Sequence, residues 1–269
     1  MKAMPALIFD CDGVLADTEQ YGHLPAFNQT FREFGLPVQW SIEDYADKVR
    51  ISGGKERLMS LITPEFAELI EIPDDPTART ALIASWHRRK TEIYTDLIEG
   101  GVVPARPGID RIVREASAAG WTLAVASTSA EPSVRAVLTH AVGLEQASRF
   151  AVFAGDIVAK KKPAPDIYLH ALSVLGISPD DAIVVEDSEN GLRSATTAGL
   201  RTVVTVSSYT ASEDFSAAAL VVSSLGDPNP GEMTQVIADP YDINPRSFIQ
   251  LGDLARMAAL PHAKPQEAQ

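Results

Sequence analysis

Ala6-Leu7-Ile8-Phe9-Asp10-Cys11-Asp12-Gly13 is the stretch on which the fold turns. Four apolar residues without alternation, closing abruptly on an acid, read as a short strand buried on both faces, as in a parallel sheet. The same signature recurs at 123–126 before Ser127, at 151–154 before Gly155-Asp156, and at 182–185 before Glu186-Asp187. Two more apolar runs follow at 202–206 and 220–222. Helical spacing lies between the runs. Ile109, Ile112, Val113 and Ala116 precede Gly120, and Ile167, Ala171, Leu172 and Leu175 precede Gly176, each glycine marking a stop. Strand alternating with helix predicts a doubly wound α/β fold with a parallel sheet and right-handed crossovers.

One long gap interrupts that rhythm. Residues 18–99 contain no convincing strand. Phe27, Phe31 and Phe34 fall on one helical face ending at Gly35, and are expected to be core. Thr63-Pro64 reads as a helix cap with proline at the first helical position, and a further helix is expected over 77–97. The segment 18–99 is therefore expected to be a small helical cap domain inserted into a core of residues 1–17 and 100–269. Gly100-Gly101 and 104–108 would be the return linker. Residues 226–269 form a C-terminal extension rich in Pro, Asn and Asp. Its middle, with Ile243, Phe248, Ile249 and Leu251, is expected to pack on the core, and its last ten residues to fray.

Composition sets outer bounds. With 269 residues, 45% hydrophobic and 22% charged, the chain is ordinary for a globular protein. The net charge of −13 argues against nucleic acid or an anionic membrane as partner. No stretch approaches the ~18 apolar residues of a membrane span, and the start is too quickly charged for a signal peptide. A single cysteine, Cys11, can form no internal disulfide and fits a reducing cytosol, so a cytoplasmic protein is expected; a monomer is expected as well.

In open α/β sheets ligands bind at the carboxyl ends of strands. Asp10, Asp12, Ser127, Lys162, Glu186 and Asp187 all sit just after apolar runs or in the loops that follow. Two carboxylates two residues apart repel unless a cation intervenes, and a magnesium ion would remove that conflict while bridging to phosphate oxygens. One carboxylate could then attack phosphorus and the other move protons. Lys162 closes a Lys160-Lys161-Lys162 run, and the Pro163-Ala164-Pro165-Asp166 turn would hold its charge in place. Ser127 would offer its hydroxyl, with Thr128 beside it, to phosphoryl oxygens. Glu186 and Asp187 could serve one metal only if the strand gives way to loop at Glu186. The Asp-x-Asp loop is not an EF-hand, because Gly13 stands fourth rather than sixth. Cys11 is expected to pack away from the site, and His87, His140, His170 and His262 show no ligand spacing.

Taken in order, 10–17, Ser127, Lys162-Pro163 and Glu186-Asp187 resemble the four motifs of the haloacid dehalogenase-like phosphatases. The resemblance implies that Asp10 is the nucleophile and Asp12 the acid/base. It also implies that Mg²⁺ is held by Asp10, the Asp12 backbone carbonyl and Asp187, with Glu186 assisting. Glu19, His23, Tyr45 and the run Ser52-Gly53-Gly54-Lys55-Glu56-Arg57 resemble the cap of the CbbY-type phosphatases, which clear xylulose 1,5-bisphosphate, an inhibitor of Rubisco. Ser208-Tyr209-Thr210 and the acidic stretch after it are also similar to that group. Gly53-Gly54 would let backbone approach a ligand, and Lys55 and Arg57 would bind a second, non-reacting phosphate. The run is not a Walker A loop, since Val49 stands where the first glycine belongs. The chain departs from the group's pattern by one extra residue near Gly22, which bears on His23. Two rivals use the same parts: a phosphomutase of the β-phosphoglucomutase kind, and a non-catalytic binding protein that kept the fold.

Overall fold

The computed structural model describes residues 5–51 and 53–260. Seven strands among them form one sheet: β1 (Ala6–Phe9), β2 (Thr122–Ser127), β3 (Ala151–Ala154), β4 (Ala182–Glu186), β5 (Arg201–Thr205), β6 (Leu220–Val222) and β7 (Val236–Ala238). Their order is β3-β2-β1-β4-β5-β6-β7, parallel throughout except for the β6–β7 pair. The chain leaves β1 toward β2 and β3, then returns to the opposite side of β1 for β4. That reversal opens a crevice at the carboxyl ends of β1 and β4. In register, Phe9 lies beside Val125 and Val185, so Asp10 emerges at the same rim as the ends of β2 and β4.

The apolar runs lack alternation because both faces of the sheet are covered. Leu7, Phe9, Leu123, Val125, Ile183 and Val185 enter one core layer, while Ala6, Ile8, Ala124, Ala126, Ala182 and Val184 enter the other. Cys11 is buried in the first layer, as expected.

Between β1 and β2 the described chain is helical. A π-helical turn over Glu19–His23 leads into α1 (Leu24–Glu33), followed by α2 (Ile42–Val49), α3 (Gly54–Met59), α4 (Pro64–Leu69) and α5 (Pro76–Glu99). Local signals explain the starts. Ser41 and Asp44 form a reciprocal capping box on α2, while Thr63 and Asp75 cap α4 and α5 ahead of prolines at the first position. Phe27, Phe31, Trp40, Tyr45, Leu58 and Trp86 make a separate apolar cluster for this insert. Full burial of a ring such as Phe31 is worth about 1.5–3 kcal/mol. Phe34 departs from the expectation: α1 ends at Glu33, so its ring leaves the helical face and is 42% exposed. The α5 helix is about 36 Å long at 1.5 Å per residue. Its first half, with Ile83 and Trp86, joins the insert's cluster, and its second, with Ile93, Tyr94 and Ile98, joins the main core.

The helices α6 (Ile109–Ala118) and α7 (Glu131–Ala147) cover the first layer, and α8 (Asp166–Leu175) and α9 (Glu189–Thr197) cover the second. The extension adds two elements that the sequence reading did not anticipate, β7 and α10 (Leu251–Ala258). Ile243, Ile249, Leu254 and Met257 bury on the first layer. Arg111 of α6 holds the extension in place. It donates to the carbonyls of Gly226 at 2.6 Å and Ile249 at 2.9 Å, and its guanidinium lies 4.7 Å from the Phe248 ring centre. Ser52, His262 and the expected frayed end lie outside the described residues. Among the described residues no helix is long and apolar enough to cross a membrane.

Candidate active site

Lys162 joins three strand ends. From the loop before α8 its Nζ donates to Asp10 Oδ1 at 2.7 Å, to Glu186 Oε1 at 2.6 Å and to the Ala126 carbonyl at 3.0 Å. The expected spread of Asp10, Ser127, Lys162 and Glu186-Asp187 over separate loops thus converges at one rim. Glu186 is the last residue of β4 and Asp187 the first beyond it, so both acids turn to the same place. Ligand oxygens of Asp10, Glu186 and Asp187 lie within 4.8 Å of one another. Burial pushes Asp10 up to about 7, against the pull of Lys162 and with the push of Glu186 and Asp12. Burial, then Asp10 and Glu186, likewise lifts Asp187 well above the carboxylate range. Three acids against one lysine leave an excess of negative charge that a divalent cation would neutralise.

The surroundings fit such an ion. The donors are all hard oxygens, the set preferred by Mg²⁺ and Ca²⁺. Gly13, at φ +76°, lies so close to the cluster that a Cβ there would come 2.1 Å from Asp187 Oδ2. A Cβ on Gly191 would come 2.0 Å from Glu186 Oε2, so the first turn of α9 admits this carboxylate only because position 191 has no side chain. Gly191→Ala should therefore displace Glu186, leave the fold intact, and weaken divalent-cation binding by about 10–100-fold, as loss of a supporting contact does at metal sites. Titration of Mg²⁺ followed by calorimetry would check it.

Asp12 corrects one expectation. Its carboxylate lies outside the Asp10, Glu186 and Asp187 cluster, although its charge still helps to raise Asp10. It turns toward the insert and accepts from Thr18 at 2.7 Å, His23 at 2.8 Å, Tyr94 at 3.1 Å and Ser129. Burial alone would raise it, but His23, Ser129 and Thr18 hold it far below the usual carboxylate range. The conflict among carboxylates that calls for a cation therefore lies mainly between Asp10, Glu186 and Asp187, with Asp12 adding to it from outside the cluster.

His23 reaches Asp12 despite the extra residue near Gly22. A π-turn absorbs one residue more per turn than an α-turn, and Glu19–His23 is such a turn. The ring stacks on Tyr94 at 4.2 Å. Its Nε2–H donates to Asp12 while Nδ1 accepts from Lys90. Burial lowers Lys90 to about 7, with Asp12 pulling the other way. Lys90 and Tyr94 were missed from the sequence. The available signal was their place on the apolar stripe of α5, where Trp86, Lys90 and Ile93 share a face.

The remaining expected cap residues divide. Glu19 and Arg57 line the cleft but hold each other, Nη1 to Oε2 at 3.0 Å and Nη2 to Oε1 at 3.1 Å. Tyr45 is wholly buried behind them and donates to Glu19 at 2.5 Å, so it supports the cleft wall rather than forming it. Arg57 also donates to Tyr45 Oη and the Ile51 and Val49 carbonyls, which occupies its donors. Gly53 and Gly54 face the cleft. Lys55 does not: its ammonium turns outward to Asp156 because that carboxylate is the nearest countercharge. Thr128 lines the cleft, and Ser127 is buried with its hydroxyl accepting from the Ser129 N–H at 3.2 Å.

His87, expected to be bland, lines the cleft beside Gly54. Burial and the charges of Lys90, Lys55 and Lys161 push it down to about 4. His140 is satisfied by the Val103 carbonyl at 2.7 Å, and His170 packs edge-on against Phe153.

A family model for haloacid dehalogenase-like hydrolases matches residues 4–199. The chain belongs to the haloacid dehalogenase-like hydrolases. It is 45% identical over 227 residues to a CbbY-like protein of Arabidopsis thaliana, covering 83% of this chain and 70% of the relative. It is 39% identical over 270 residues to the plasmid CbbY of Cupriavidus necator, covering 98% and 100%. Among solved structures it superposes with TM-score 0.73 on a substituted CbbY of Rhodobacter sphaeroides in complex with xylulose-1,5-bisphosphate. That pair shares 38% identity and covers 82% of this chain and 95% of that one. This member of the family is an enzyme, a phosphatase.

Proposed function

We propose that this hydrolase is a Mg²⁺-dependent phosphatase of a small sugar phosphate, xylulose 1,5-bisphosphate being the best candidate. The observation that carries the reading is Lys162 Nζ held between Asp10 and Glu186, with Asp187 completing the acidic cluster. The CbbY relatives, one of which binds that bisphosphate, favour the sugar substrate.

Asp10 attacks phosphorus through a carboxylate oxygen and the sugar oxygen leaves, which forms an aspartyl phosphate and divides one displacement into two. Lys162 neutralises charge on the nucleophile and on the phosphoryl oxygens as it develops. The hydroxyl of Ser127, with Thr128 next to it, orients those oxygens. Magnesium at Asp10, Asp187 and Glu186 would supply charge neutralisation of the phosphoryl group. Asp12 lies across the cleft, poised as a carboxylate, and takes the proton of the water that splits the aspartyl phosphate. In the preceding, first step the same carboxyl, protonated once a phosphate dianion beside it has raised its proton affinity, gives its proton to the leaving sugar oxygen, and the water's proton then restores it.

Residues 18–99 act in this reading as a cap whose Glu19, His23, Arg57 and Gly53-Gly54 surround the sugar. The cleft volume is about 80 Å³, well under the ~300–1,000 Å³ of most small-molecule sites, so the cap opens to admit substrate. The deciding assay measures phosphate released from a panel of sugar mono- and bisphosphates with and without Mg²⁺. Release from xylulose 1,5-bisphosphate above the monophosphates, abolished by chelation, is expected. An isomerised monophosphate without net release would replace hydrolysis by phosphomutase chemistry.

A further inference from the structure

Three lysines precede Pro163, and only Lys162 reaches the nucleophile. Its neighbour Lys161 points the other way, across the seam between the sheet and the helical insert. Lys161 Nζ lies 2.7 Å from Glu56 Oε1 on α3 and 3.1 Å from Asp156 Oδ1 in its own loop. Asp156 in turn accepts from Lys55 on α3. The four charges form a chain of alternating sign, Glu56, Lys161, Asp156 and Lys55, with its ends on the insert and its middle in the loop between β3 and α8. Lys161 is the most sheltered of them, with its side chain 18% exposed against 43–56% for its partners.

This chain of charges backs directly onto the glycine turn. A Cβ on Gly53 would meet Glu56 Oε2 at 2.1 Å and Lys161 Nζ at 2.9 Å. Gly53, at φ +100°, and Gly54 form the cleft wall on the opposite side of that turn. On the outer side the charges border a second cavity of about 720 Å³, lined by Lys55, Asp156 and Lys161, which shares Gly54 and His87 with the cleft. The turn is therefore a thin partition, and charged side chains from across the seam press on its back.

We infer that Lys161 is a positioning residue that docks the Gly53-Gly54 turn over the cleft through its ion pair with Glu56. Adjacent lysines then divide two tasks, Lys162 serving the nucleophile and Lys161 the far wall. The inference rests on the reading above in which the glycine turn is part of the wall that surrounds the sugar. Ion pairs whose acidic partners are largely exposed contribute little to stability, so the effect falls on placement rather than on folding.

The test compares Lys161→Met, Glu56→Gln, the double variant and Lys161→Arg on a sugar bisphosphate and on p-nitrophenyl phosphate, which has neither sugar nor second phosphate. Each single variant should raise KM for the bisphosphate about tenfold, the size of a coupled pair of about 1.4 kcal/mol, with kcat held. The double variant should be no worse than either single one, Lys161→Arg should recover most of the loss, and the small ester should be unaffected. Equal losses on both substrates, or multiplying losses in the double variant, would overturn the role. Failure of the parent enzyme on every sugar bisphosphate would instead count against the proposed substrate. Amide hydrogen exchange reads the docking without any substrate. Lys161→Met should speed exchange over residues 53–58 and leave the peptide containing Asp10 unchanged, and an unaltered 53–58 peptide would overturn the inference.

Discussion

Asp10→Asn should lose turnover by more than about 10⁴-fold, the scale of removing a nucleophile that acts within a coupled group. Asparagine keeps the shape of the side chain, but its amide cannot form an acyl phosphate. Substrate binding should survive, because Lys162 retains Glu186 and the Ala126 carbonyl as partners. Stability should move the opposite way from activity. Burial raises the Asp10 carboxyl to about 7 in the folded chain, from 3.8 as a free group. A raised carboxyl favours the fold while protonated, and that contribution is lost as pH climbs through 7. The neutral amide escapes this loss. In chelator, Asp10→Asn should melt higher than the parent above pH 7, with the gain shrinking as pH falls toward 4. Thermal melts across that range, beside initial rates, would check both halves. Residual turnover above about 1% of the parent would remove Asp10 from the nucleophile's role.

Lys162→Met should be the most damaging single change to the resting protein. It leaves Asp10, Glu186 and Asp187 buried together with their central cation gone. Breaking a buried pair by removing one partner costs about 3–5 kcal/mol. Burial would by itself lower the Lys162 ammonium, but Asp10 and Glu186 overcome this and hold it well above 10.5. Its stabilising charge is thus fully present through neutral pH and lost only as pH rises past that elevated value. The pH dependence of the variant comes from the acids left behind, which can relieve their repulsion by taking up protons. The deficit should therefore be larger at pH 8 than at pH 6, and added Mg²⁺ should recover part of it by supplying the missing positive charge. Denaturant unfolding at the two pH values, with and without Mg²⁺, makes the comparison. A deficit below about 1 kcal/mol at both would mean that the acids are solvated and the cluster is not the electrostatic centre described here. Turnover should fall by about 10²–10³-fold as well, the usual loss when one stabilising donor is removed from an active site.

The strands were legible because burial on both faces leaves an unmistakable mark: 6–9, 123–126 and 182–185 carry no polar residue. The ends of α8 and of the α6 segment were legible from Gly176 and Gly120, which adopt positive φ. The strand β7 and helix α10 were not. The first is three exposed residues whose pairing depends on the edge of β6, and the second is a short helix held in place by contacts with β4 and α6. Phe34 illustrates the reverse error, since spacing continued the helical face one residue beyond where the backbone ends the helix.

What the amino-acid sequence determined unaided was the periodic part: a parallel sheet, an all-helical insert, and a rim carrying Asp10, Ser127, Lys162, Glu186 and Asp187 in fixed order. Period and strand ends are local properties, set by a few consecutive residues and by which faces are buried. Tertiary structure alone decided how those acids divide, with Asp10, Glu186 and Asp187 in one cluster and Asp12 turned to His23, Tyr94 and Ser129. It also brought Lys90 to His23, turned Lys55 out to Asp156, and set Lys161 behind Gly53. Apart from Asp12–His23, which are 11 positions apart, and the adjacent Glu186 and Asp187, each of those contacts joins residues at least 67 positions apart. Which charge meets which over such distances is settled by how the helices pack, and no local pattern encodes it.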